Sequence, residues 1–150
     1  MTVGLTVVAL AMTSVSIAAE KKIARNDLPA AVQKTVDEQA KGAAIKGYAT
    51  EVEKGMRLYE VELTVDGHSK DISMDGGGAV VEIEEEVSMA SLSPSVKEGL
   101  TKRAGVGKIT KVESLTKGGK LVAYEAVVRT GAKRSEIQVG PDGNKLAREE

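Results

Sequence analysis

Over Tyr59–Val65, Asp71–Met74 and Val81–Glu84 the chain alternates apolar and polar residues. Tyr59, Val61, Leu63 and Val65 fall on one side, and Glu60, Glu62 and Thr64 on the other. Asp66-Gly67 is a hairpin signal. Ile72 and Met74 then oppose Asp71 and Ser73, Asp75-Gly76-Gly77-Gly78 turns the chain again, and Val81 and Ile83 oppose Glu82 and Glu84. A period of two over successive short segments predicts antiparallel strands with one apolar and one polar face. The apolar face must be covered by another element.

Two helices are placed to do this. Leu28, Val32 and Val36 form a four-residue stripe, with Asn26 and Asp27 as candidate caps, Pro29 in the first turn and Gly42 as the stop. Leu92, Val96 and Leu100 repeat the stripe 64 residues later, with Ser93 as N-cap, Pro94 at the first helical position, and Gly105 and Gly107 as the stop. The echo continues along the chain. Tyr124-Glu125-Ala126-Val127-Val128 follows Tyr59-Glu60-Val61-Glu62-Leu63 at 65, and Gly143 and Leu146 follow Gly77 and Val80 at 66. Weaker strands precede these segments, around Ile45 to Glu53 and Ile109 to Leu115. The pattern predicts an α+β protein with a tandem repeat: one helix, then a meander of about four antiparallel strands, the helix packed on one sheet face. The expected organisation is 20–26 as an N-terminal extension, 27–86 as the first unit, 87–91 as a connection and 92–150 as the second unit. Units of about 60 residues are marginal alone, so the two are expected to pack together.

The core has an unusual composition to work with. In 150 residues there is no Trp, no Phe and only Tyr48, Tyr59 and Tyr124, so Val, Leu, Ile, Ala and Met must fill it. Tyr59 and Tyr124 hold matched inward positions and are expected in that core. The absence of cysteine excludes disulfides, thiolate metal sites, a cysteine nucleophile and a lipidated N-terminal cysteine. A net charge of −1 argues against a general nucleic-acid binder. The charge is unevenly spread: 14 acidic and 6 basic residues give −8 over 27–86, while 7 acidic and 12 basic give +5 over 91–150.

Thr2 to Ala19 is uncharged and rich in Val, Leu, Ala and Met, and ends in Ser16-Ile17-Ala18-Ala19 before Glu20-Lys21-Lys22. Small residues at Ser16 and Ala18 predict a signal peptide over 1–19, cleaved after Ala18 or Ala19. The segment is short for a membrane span, so no stable insertion is expected after cleavage. Export to the periplasm or beyond follows.

The chain resembles the PepSY-like family, small exported bacterial domains also described as β-lactamase-inhibitor-like. The resemblance rests on Leu28-Pro29-Ala30-Ala31-Val32, Tyr59-Glu60-Val61-Glu62-Leu63 and Asp75-Gly76 with Val80, and on Leu92-Ser93-Pro94-Ser95-Val96, Tyr124-Glu125-Ala126 and Pro141-Asp142-Gly143-Asn144-Lys145-Leu146. It implies a helix on an antiparallel sheet, and a non-catalytic binding or inhibitory role outside the cytoplasm. It carries no functional residue onto this chain.

Chemistry is correspondingly sparse. Glu82, Glu84 and Glu86 share a strand face and, with Asp75, could collect a divalent cation, although an acidic strand face in solvent has the same pattern. Asp66, Asp71 and Asp75 lack calcium-loop spacing and read as turn and strand-flank residues. Gly76-Gly77-Gly78 is no phosphate loop, having neither a following helix nor a Lys-Ser/Thr pair. His68, the single histidine, follows a hairpin turn without a predicted catalytic partner. Lys102, Arg103, Lys108 and Lys111 make a basic stretch that could meet an acidic partner or anionic lipid. The sequence therefore assigns no catalytic, cofactor-binding or metal residue. The expected function is an exported binding module with a protein partner in the cell envelope or outside. A structural, self-associating envelope protein and an uncharacterised hydrolase are the alternatives.

Overall fold

The computed structural model describes residues 20–150, so the expected signal segment lies outside the described residues. Eight antiparallel strands form one sheet in strict sequence order. They are β1 (Lys21–Ile23), β2 (Ala44–Glu53), β3 (Met56–Val65), β4 (His68–Met74), β5 (Val80–Glu86), β6 (Lys108–Lys117), β7 (Lys120–Thr130) and β8 (Lys133–Val139). Helix α1 (Ala30–Gln39) lies between β1 and β2, and α2 (Pro94–Ala104) between β5 and β6. Among the described residues no helix is long and apolar enough to cross a membrane.

This architecture overturns the expected tandem α+β repeat. The described residues are mostly β, with two short helices on a single continuous sheet. The halves are also unequal, since three strands follow α2 where four follow α1. The seam between β5 and β6 explains the merger. The outer edge of β5 would otherwise expose a row of backbone N–H and C=O groups. Pairing from Glu82↔Lys117 to Glu86↔Glu113 satisfies them, and Glu82 and Lys117 add an ion pair of 3.1 Å across the join. Glu85 and Glu86 are therefore strand residues. Beyond Pro141-Asp142-Gly143, Lys145–Glu150 forms no strand; it lacks the β-branched residues that favour one.

The turns follow local chemistry. Lys54-Gly55 and Asp66-Gly67 both take positive φ, the backbone of the tight hairpins joining β2 to β3 and β3 to β4. Ser93 caps α2, its Oγ accepting from the Val96 amide at 3.3 Å, with Pro94 in the first turn. Helix α1 starts differently from expectation. Asn26 and Asp27 lie in a separate 3-10 turn, in which Asp27 Oδ2 accepts from the Ala24 amide at 2.9 Å, and Pro29 occupies the cap position.

Both helices cover the same side of the sheet. Val32 and Val36 of α1 pack on Val61, Leu63, Ile72 and Met74; Val96 and Leu100 of α2 pack on Val112, Ala126 and Val139. Tyr59 and Tyr124 pack against these two clusters and are partly buried. A β-bulge where Ser73 gives way to Met74 changes one expected assignment: Val80, not Val81, joins Ile83 against the core.

Two glycines allow the turns after β4 and β8 to dock on the helices. At Gly78 a Cβ would approach the Ala31 carbonyl oxygen to 2.6 Å. At Gly143 it would approach that of Ser95 to 2.2 Å, and both residues have φ above +80°.

Candidate functional site

The side of the sheet away from the helices is a shallow cleft of about 590 Å³, lined by Glu51, Glu60, Asp71, Glu82, Glu84, Lys111, Glu113, Lys117, Glu125, Glu136 and Gln138 among others. Carboxylates outnumber cationic side chains on it by eleven to four. Register aligns these groups in rows, because residues paired on neighbouring strands lie side by side on one face. One row runs Glu60, Ser73, Glu82, Lys117. The next runs Glu62, Asp71, Glu84 and then reaches Leu115. The third runs Glu86, Glu113, Glu125, Gln138.

Like charges directly opposite one another on a sheet repel, and the cleft answers this unevenly. Lys117 pairs with Glu82, and Lys111 with Glu113 at 2.5 Å. Gln138 donates to Glu125 Oε2 at 2.9 Å. The amide and hydroxyl of Ser69 donate to Glu86 Oε2 at 3.1 and 3.3 Å, and those bonds hold the Glu86 carboxyl below its usual range. In the middle row Glu62 meets Lys22 at 3.5 Å, while among the described residues Asp71 and Glu84 have no ion-pair partner. Burial, reinforced by Glu82, Glu125 and Glu113, pushes Glu84 up to about 8. Burial and Asp71 push Glu60 up to about 8. Burial and Glu113 raise Asp71 to about 6, and burial also raises Glu125 against the hydrogen bond from Gln138.

One oxygen from each of Asp71, Glu84 and Glu113 lies within 4.8 Å of the others, as does one from each of Glu20, Glu60 and Glu62. Either trio offers the hard oxygen donors that a divalent cation such as calcium takes. The grouping differs from the one suggested by sequence. Glu84 meets Asp71 and Glu113 across strands, whereas Asp75 is occupied in its own turn, accepting from the amides of Gly77 and Ala79 at 2.9 and 3.0 Å. Asp66 lies in the β3–β4 turn, Asp71 in the middle of β4, and Gly76-Gly77-Gly78 in the β4–β5 turn. His68 is largely exposed, with Nδ1 3.9 Å from Glu86.

The four basic residues do not form one surface. Lys102 and Arg103 occupy the last turn of α2, where cations complement the helix dipole. Lys108 is exposed at the start of β6, and Lys111 faces the cleft. Glu113, Glu125 and Gln138 complete the acidic face without any motif to mark them. Their only sequence signal is alternation with Val112, Ser114, Tyr124 and Ala126.

No family model matches the chain, and no curated protein does either. Solved structures share its fold. A DUF2874 family protein from Bacteroides ovatus is 19% identical, with a TM-score of 0.61 over 79% of this chain and 84% of its own. A BLIP-like protein from Bacteroides fragilis is 22% identical, with a TM-score of 0.58 over 79% and 83%. A protein assigned to the periplasm of Bacteroides eggerthii is 15% identical, with a TM-score of 0.65 over 79% and 86%. At these identities the likeness is one of fold. It agrees with the inhibitor-like part of the expected resemblance and gives no support to PepSY or to tandem copies.

Proposed function

We propose that this chain is an exported, non-catalytic binding module whose open sheet face receives a basic surface of a partner protein in the cell envelope or outside. The observation that carries this reading is the set Glu60, Asp71 and Glu84, side by side without ion-pair partners among the described residues, in a cleft open to a partner. Carboxylates raised by burial and mutual repulsion gain more from an incoming Lys or Arg than solvated ones do. Export is supported by the uncharged apolar segment Thr2 to Ala19 and by the fold shared with a protein assigned to the periplasm. A modulating or inhibitory role is supported by the fold shared with a BLIP-like protein.

The test uses residues 20–150 as bait in an envelope extract, beside a Glu60→Gln/Glu84→Gln/Glu125→Gln variant. The expected result is a protein held by the natural sequence, released by raised salt and not captured by the variant. Equal capture by both baits would refute the acidic face as the binding surface.

A further inference from the structure

The last strand of the sheet is a free edge, and its geometry is self-complementary. Among the described residues nothing pairs with the backbone of β8 on the side away from β7. The C-terminal segment lies beside Glu136 and Gln138, and the Glu150 amide donates to Gln138 Oε1 at 2.9 Å. Lys133 to Glu136 are all exposed. The opposite edge of the sheet is blunted, since β1 has only three residues. Strand β8 has seven, with no proline and no bulge against β7, so it lacks two common protections of an edge.

The direction of each backbone group follows from the hairpin. Thr130 and Lys133 flank the two-residue turn Gly131-Ala132, in which Gly131 has φ +61°. Flanking residues of such a turn exchange both hydrogen bonds. By alternation Lys133, Ser135 and Ile137 direct their amides and carbonyls to β7, while Arg134 and Glu136 direct theirs outward. Arg134 and Glu136 also lie on one sheet face, 2.7 Å apart.

We propose that β8 pairs antiparallel with β8 of a second copy of this chain, about a twofold axis at Ser135. That register sets Arg134 opposite Glu136 twice, each time as a hydrogen-bonded pair with opposite charges adjacent. It also lays the stem of Lys133 along half-buried Ile137 of the other copy. Moving the axis to Glu136 would place Glu136 against itself, so charge selects the first register. The two sheets join edge to edge, and both acidic clefts lie on the same side of the joined sheet.

The test is sedimentation of residues 20–150 at micromolar to millimolar concentration, with circular dichroism to confirm folding. The natural sequence should form a reversible dimer. Arg134→Glu alone and Glu136→Arg alone each create two like-charged pairs and should weaken association by about tenfold or more. Mixing the two single variants creates opposite pairs at both positions, and the mixture should dimerise where neither component does. A natural sequence that stays monomeric to about 1 mM, well beyond the range of specific association, would overturn the proposal. So would single variants that dimerise unchanged, or a mixture that does not associate. None of these outcomes depends on a partner occupying the acidic cleft.

Discussion

On the helix-covered face, Val61, Ile72 and Met74 are fully buried beneath α1. One residue along the same strands, Glu60, Asp71 and Ser73 face the cleft. The same strands thus serve two environments. On the first side burial removes apolar surface from water and stabilises the fold. On the second, partial burial of carboxylates raises Glu60 and Glu84 to about 8, which is a cost to the folded state at neutral pH. A sheet held firmly on one face tolerates unfavourable charge on the other. The difference separates what maintains the fold from what is available for recognition.

The largest expected effect lies on the covered face. Leu100→Ala removes a fully buried side chain from the cluster under α2. It should cost about 2.7–5 kcal/mol in denaturant unfolding. A loss below about 1 kcal/mol would mean that α2 is not what seals the sheet there.

A smaller effect of opposite sign is expected across the sheet. A carboxyl whose folded pKa is raised binds its proton more tightly in the folded state, so stability is lost as pH rises from the unfolded value towards the folded one. For Glu60 and Glu84 that window runs from the ordinary 4.5 to about 8. Below it both states are protonated and the burden vanishes. Above it both are ionised and the burden is complete. Glu84→Gln should therefore stabilise the protein by roughly 1–2 kcal/mol at pH 8, after discounting for water in the cleft, and change little at pH 4.5. Thermal melts at both pH values measure this. An equal shift at the two would show that Gln acts by packing rather than by relieving charge.

The smallest effect concerns the seam. Lys117 and Glu82 form a partly exposed pair across β5 and β6. Lys117→Met should cost about 0–1 kcal/mol and leave the two halves joined. Separation of the halves in hydrogen exchange would show that charge, rather than the backbone ladder, holds the sheet together.

Much of the local structure was legible before any tertiary contact was known. The alternation around Tyr59 to Glu84, the Asp66-Gly67 turn, the Ser93 cap and the stripe Val32–Val36 each encode a local choice, because side-chain periodicity and turn chemistry act over a few residues. The face assignment of Glu60, Glu62, Asp71, Glu82 and Glu84 follows from the same period of two. The bulge beside Val80 escaped, since one extra residue shifts the face without changing composition.

Sequence by itself therefore determined that this chain makes antiparallel strands, that two helices cover them, and that one sheet face is acidic. Tertiary structure alone decided that the strands form one sheet instead of two, and that Asp71, Glu84 and Glu113, from three strands, share a site. The physical reason lies in the backbone. Strand pairing at β5–β6 is made by N–H and C=O groups that every residue other than proline carries alike, so no side-chain pattern announces which edges will meet. Once those edges join, cross-strand neighbours are set by register, and groups as distant in sequence as Asp71 and Glu113 come together.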